Sequence, residues 1–118
     1  MNKVEALIAA KELIADPKNW IKGNASVDSN GVSVNTLDPS ACAFCMLGAV
    51  YKVVPDKGFF GIRQEVRNSL RESVKRKKKQ TTLESIADFN DSCNTTHKDV
   101  MDVFDDAIMQ SLNTKVTT

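Results

Sequence analysis

Apolar residues recur at helical spacing from the start of the chain. Val4, Leu7, Ile8 and Ile14 form one stripe, widened by Ala10 and Leu13, which predicts a first helix from Asn2 to Ala15. Asp16-Pro17 ends it, because the residue before a proline is steered out of helical geometry. Trp20 stands in the connection that follows, and a lone tryptophan there is expected to fold back onto the core. The period then changes. Ala25/Val27 and Val32/Val34 alternate around Asn30-Gly31, so residues 23–37 read as a small β-hairpin or long loop leaning on the helices.

Asp38 and Pro39 carry a helix start signal, and the run from Ala41 to Val50 is apolar on every face, as in a central buried helix. Gly48 and Ala49 would let a neighbouring helix approach closely, and Pro55 would end this second helix. Phe59 and Phe60 are expected to return to the core. From Gly61 onward Ile62, Val66, Leu70 and Val74 repeat every fourth residue beside Arg63, Arg67, Arg71 and Lys75, which defines a third helix running into "RKKKQ". Thr81 with Glu84 suggests a capping box for a short fourth helix ending near Phe89. Thr96 with Asp99 suggests another, opening a fifth helix whose apolar face is Val100, Phe104, Ala107, Ile108 and Leu112. The expected fold is mainly α: one compact domain over residues 1–112, about five helices, and a flexible C-terminal tail over 113–118.

Composition agrees with one modest core: 118 residues, 42% apolar and 26% charged, is an ordinary globular balance. Glu5, Lys11 and Glu12 break up what would otherwise resemble a signal peptide. Pro39–Tyr51, the longest weakly charged run, falls well short of the about 20 residues a membrane span needs. These features point to a cytoplasmic protein with no membrane partner.

The net charge of +1 conceals a strong asymmetry. Residues 63–80 hold eight cations against two acids, and residues 81–112 hold seven acids against one lysine. Arg63, Arg67, Arg71, Lys75, Arg76, Lys77, Lys78 and Lys79 are therefore the candidate contact surface, for a protein or for nucleic-acid phosphates. No aromatic interleaves them and no helix-turn-helix is recognisable, so sequence-specific reading is not indicated. The acidic face of the last helix, Asp99, Asp102, Asp105 and Asp106, could meet the basic helix of a second copy and form a homodimer.

Three cysteines without a secretion signal are expected as free thiols. Cys42, Cys45, Cys93 and His97 have the types and number of a zinc set, but Cys-x-x-Cys on a buried helix is also plain core spacing, and His97 at a helix start is expected to face solvent. A Cys93–His97 nucleophile pair would need an oxyanion stabiliser and a pocket, and neither is visible in the sequence. In "DSNG", residues 28–31, the alternating ligands and closing glutamate of a calcium loop are missing. Asn90 and Asp91 are expected to cap the turn locally; the alternative pairs them with a ligand or with the Trp20 indole N–H.

Trp20-x-x-Gly23, Asp28 with Gly31, Phe44-Cys45-x-x-Gly48-Ala49, Phe89-Asn90-Asp91, Thr96, and Val100 with Phe104-Asp105-x-Ala107-Ile108 together resemble a family of small bacterial and phage proteins with no assigned function. In that family the aromatic before the cysteine and the one before Asn-Asp are typically tryptophan, where this chain has phenylalanine. The resemblance implies a role for Cys45, Asn90 and Asp91 but none for Cys42, Cys93 or His97. It leaves Trp20, Cys45, Asn90 and Asp91 as a constellation that could be a polar network or a ligand site. The reading is a phage or mobile-element accessory protein, in the host cytoplasm, that binds a host protein without catalysis or cofactor. The alternatives are nucleic-acid binding through residues 63–79, and a Cys-dependent enzyme or zinc-binding protein.

Overall fold

Asn2 opens the first helix, α1 (Lys3–Leu13), with a reciprocal cap: its Oδ1 accepts the Glu5 N–H and its own N–H donates to Glu5 Oε1, both at 2.9 Å. The computed structural model describes residues 1–54, 60–78 and 85–117. Val4, Leu7, Ala10 and Ile14 are buried, but Ile8, turned about 100° on from Leu7, is 39% exposed and leaves the expected stripe. The helix stops at Leu13, and Asp16 caps a single 3-10 turn over Pro17–Asn19.

The largest departure from expectation lies between Asp38 and Cys45. Asp38 closes a turn instead of opening a helix: its Oδ1 accepts the Ser40 N–H at 2.9 Å and the Ser40 hydroxyl at 2.8 Å. Those bonds, the backbone one foremost, hold its carboxyl below the usual range. Two short strands follow the same logic of backbone satisfaction. β1 (Ser26–Val27) pairs antiparallel with β2 (Ala43–Phe44), Ser26 opposite Phe44 and Val27 opposite Ala43. On the other edge of β2 the Ile21 N–H donates to the Phe44 carbonyl at 3.1 Å. The second helix, α2 (Met46–Val53), starts only after these partners are taken, with Cys45 as its N-cap. A run that is apolar on all sides carries no helical phase, so strand pairing set this boundary.

The hairpin turn does form. Asp28 N–H donates to Val32 O at 2.9 Å, Val34 N–H to Ser26 O at 3.2 Å, and Gly31 takes φ +81°, a conformation glycine reaches without penalty. Its inner arm then uses its second edge for β2.

The rest follows the helical periods closely. In α3 (Phe60–Lys78) Val66, Leu70 and Val74 are buried and Ile62 is half-buried. The short α4 (Ile86–Asp91) is capped by Ser85, whose hydroxyl accepts the Asp88 N–H at 3.0 Å. The expected capping box at Thr81 and Glu84, and the return of Phe59 and Phe60, fall outside the described residues and side chains. The final helix, α5 (His97–Thr117), opens on the expected Thr96–Asp99 box, with N–H to side-chain oxygen distances of 2.9 and 3.2 Å. Val100, Val103, Phe104 and Ala107 face inward, Leu112 does not, and the helical backbone continues through residue 117. α5 packs on α1 and α3, and α1 also packs on α2. Leu7, Ile14, Val50, Leu70, Phe89 and Phe104 belong to one continuous core. The fold is mainly α, with five helices and one small two-stranded sheet among the described residues.

Candidate functional site

Asn90 lies on α4, fully buried, and its carboxamide points away from its own turn. Oδ1 accepts the Trp20 indole N–H at 2.7 Å and the Met46 N–H at 3.1 Å; Nδ2 donates to the Ile21 carbonyl at 3.0 Å and to Asp91 Oδ1 at 2.9 Å. A carboxamide has two acceptor and two donor capacities, and all four are used. Asp91 Oδ1 also accepts the Gly23 N–H at 2.9 Å, and Gly23 can present that N–H because it sits at φ +85°. The expected local capping by Asn90 and Asp91 is thus replaced by a network in which four of the five bonds span 44 to 70 residues. One side chain joins α4, the start of α2 and the segment leading into the sheet, so the network acts on chain segments that no single helix can hold together.

Cys45 sits beside this network. Its Sγ accepts the Gly48 N–H at 3.3 Å as the N-cap of α2. Burial pushes the thiol up; the Gly48 and Leu47 N–H groups pull it down, and the Asp91 carboxylate adds to the push. The sum holds the thiol above its ordinary value, which disfavours the thiolate form. A cleft of about 230 Å³ opens next to it, with Tyr51, Leu47, Ala87 and Asp91 among its lining. Cys42 and Cys93 are exposed. Titration of the folded protein with a disulfide reagent near pH 8 is therefore expected to show two fast thiols and one slow one, with Cys45→Ser removing the slow phase. Three equally fast thiols would mean that Cys45 is open to solvent.

His97 is not solvent-facing as expected. Its Nε2 lies 2.8 Å from the Ile14 carbonyl, which can only accept, so that nitrogen carries the proton. Its ring lies 5.8 Å from Trp20, tilted by 56°. The imidazole bridges the end of α1 to the tryptophan that Asn90 holds. Cys42 lies outside any helix, so core spacing does not explain the Cys42–Cys45 pair; the strand-to-helix junction does. Among the described residues no group of three His, Cys, Asp or Glu side chains is placed to hold a metal.

The cations of α3 divide into two sets. Arg63 donates to the Val54 carbonyl at 3.1 and 2.7 Å and lies 4.4 Å over the Tyr51 ring. Arg67 donates to Tyr51 OH at 3.4 Å and to Gln64 Oε1. Arg76 donates twice to Asp106 Oδ2, at 2.9 and 2.7 Å, and once to Ser73. Burial pushes the Asp106 carboxyl up, but the bonds from Arg76 and Ser73 outweigh it and hold the group below its ordinary value. Arg71, Lys75 and Lys77 are exposed and make no ion pair or side-chain hydrogen bond among the described residues. The side chains of Lys78 and Lys79 lie outside the description.

The acidic face of α5 is consumed at home. Asp106 pairs with Arg76, Asp105 with Lys11, Asp102 with Lys98, and Asp99 caps its own helix. One basic-to-acidic helix contact is thus made within the chain, at Arg76–Asp106.

Sequence reasoning brought forward Trp20, Cys45, Asn90 and Asp91, and the structure places all four within one cluster. It missed the Ile21 carbonyl, the Met46 N–H and Tyr51. The first two are backbone groups, which every residue has and no sequence pattern marks; Tyr51 could have been found as a ring one helical turn past Leu47.

A small helical domain pinned on one buried carboxamide, with a partly unpaired cationic helix at its surface, is the class that the fold and site define. The chain belongs to a family of unknown function, DUF6197, whose model matches residues 2–110. No curated protein and no solved structure matches it.

Proposed function

We propose that this is a small non-catalytic accessory protein, of the kind phages and mobile elements carry, which acts in the host cytoplasm by binding a host protein through α3. The observation that supports this is the pair Arg71 and Lys75, exposed, one helical turn apart and without a hydrogen bond or ion pair among the described residues, followed by exposed Lys77 on the side of Asp106, while Arg63, Arg67 and Arg76 hold the fold. Such unpaired charges steer encounter and fix register against an acidic surface. A protein partner is favoured over nucleic acid because α3 carries no aromatic between Gly61 and Lys77 on which a base could stack. Among the described residues no helix is long and apolar enough to cross a membrane.

The test compares wild type with a variant carrying Arg71→Gln, Lys75→Gln and Lys77→Gln. Surface changes of this kind shift stability by about 0.5 kcal/mol or less, so the variant is expected to melt as wild type does. Affinity capture from host lysate is expected to retain a nuclease-resistant protein on wild type and lose it on the variant. Material that disappears with nuclease, and whose binding falls steeply with salt, would favour the nucleic-acid alternative. Equal capture by both proteins would move the interface off α3.

A further inference from the structure

A second cleft, about 350 Å³, opens between α2, α3 and α4. Leu47, Ile86 and Ala87 give it an apolar lining, and α3 adds Arg67 and Arg71. It shares Leu47 and Ala87 with the cleft beside Cys45, so the two lie side by side, the first lined by two guanidinium groups and the second by the Asp91 carboxylate. Arg67 is already oriented by Tyr51 and Gln64, whereas Arg71 has no hydrogen-bond or ion-pair partner among the described residues. Asp91 spends Oδ1 on Gly23 and Asn90, and Oδ2 has no hydrogen-bond partner among the described residues.

We infer that these two clefts act as one groove that seats an acidic peptide segment of the partner protein, in which carboxylate side chains flank an apolar one. The apolar side chain lies on Leu47, Ile86 and Ala87, its flanking carboxylates pair with Arg71 and Arg67, and a peptide N–H reaches Asp91 Oδ2. Charge complementarity selects this occupant: an apolar floor is wasted on a phosphate backbone, and a basic peptide would meet two arginines. The inference rests on α3 being the contact face and narrows that reading to one chemistry.

The probe is a pentapeptide blocked at both ends, two leucines flanked by glutamates, titrated into the full ¹⁵N-labelled chain. Saturable shifts are expected to cluster at Leu47, Asn68, Arg71, Ile86 and Ala87, and to be absent with the lysine-flanked analogue. Ala87→Glu, an exposed position lining both clefts, is expected to weaken binding about tenfold by setting a like charge there. Shifts that are absent, scattered, or equal for the lysine analogue would overturn the inference. Capture of the partner separates the two levels. Loss with the triple glutamine variant and also with Ala87→Glu supports the groove; loss with the triple variant alone leaves α3 as the interface and rejects the groove; loss with neither rejects both.

Discussion

Asn90→Asp is expected to destabilise the domain by about 4 kcal/mol at neutral pH, a fall in melting temperature of about 15 °C for a chain of this length. The two side chains are nearly the same shape, so no cavity forms. What changes is the hydrogen-bond inventory. The introduced carboxylate can still accept from the Trp20 indole and the Met46 N–H, but it cannot donate to the Ile21 carbonyl or to Asp91 Oδ1. Two acceptors then face a buried anion, one of them itself a carboxylate. Such a group ionises with more difficulty in the folded than in the unfolded chain, so its folded pKa is raised. The folded variant binds the extra proton more tightly, and the loss is greatest well above the usual Asp value of about 4 and shrinks as pH falls. Urea unfolding of wild type and variant from pH 4 to pH 8 checks both parts. A gap below about 1 kcal/mol, or one that does not change with pH, would show that the carboxamide is not held as described.

Gly48→Ala is the second large expected effect, at about 3 kcal/mol. An added Cβ would lie 1.9 Å from the Ala25 carbonyl oxygen and 2.9 Å from its carbon. Both are backbone atoms of the segment entering β1, and that oxygen already accepts the Cys45 N–H at 3.1 Å. Relief requires the sheet to separate from the start of α2, which breaks that bond and loosens the segment carrying Gly23 and Trp20. Alanine's better helix propensity, about 1 kcal/mol, recovers only part of the loss. Gly61→Ala is the internal control. It also lies in a helix, but among the described residues nothing stands within 4 Å of its added Cβ, so the same substitution is expected to be neutral or slightly stabilising. Equal outcomes at the two glycines in urea unfolding would contradict the close approach at Gly48. The sequence alone suggested that Gly48 admits a helix; it admits the backbone of the segment entering β1 instead.

Three of the five helices among the described residues carried their own phase in the sequence. α1, α3 and α5 each repeat apolar residues every three to four positions, and α5 announces its start with Thr96 and Asp99, so their existence and inward faces followed from local chemistry. The turn at Asn30-Gly31 was equally local. The start of α2 was not. Between Ala41 and Val50 nearly every residue is apolar, so helix and strand satisfy the same burial, and only the partners waiting at Ala25, Val27 and Ile21 select the strand for Ala43–Phe44. The same holds for the centre of the site. Residue types nominated Trp20, Cys45, Asn90 and Asp91, yet whether Asn90 caps its own turn or reaches across the chain depends on which backbone groups lie within 3 Å of it. That is a property of the packed fold, because a carboxamide binds any donor or acceptor in reach. Charge shows the division most plainly: the sequence determined that a basic helix precedes an acidic one, and tertiary packing, by bringing Asp106 to Arg76 and Asp105 to Lys11, decided which of those charges are paired within the chain.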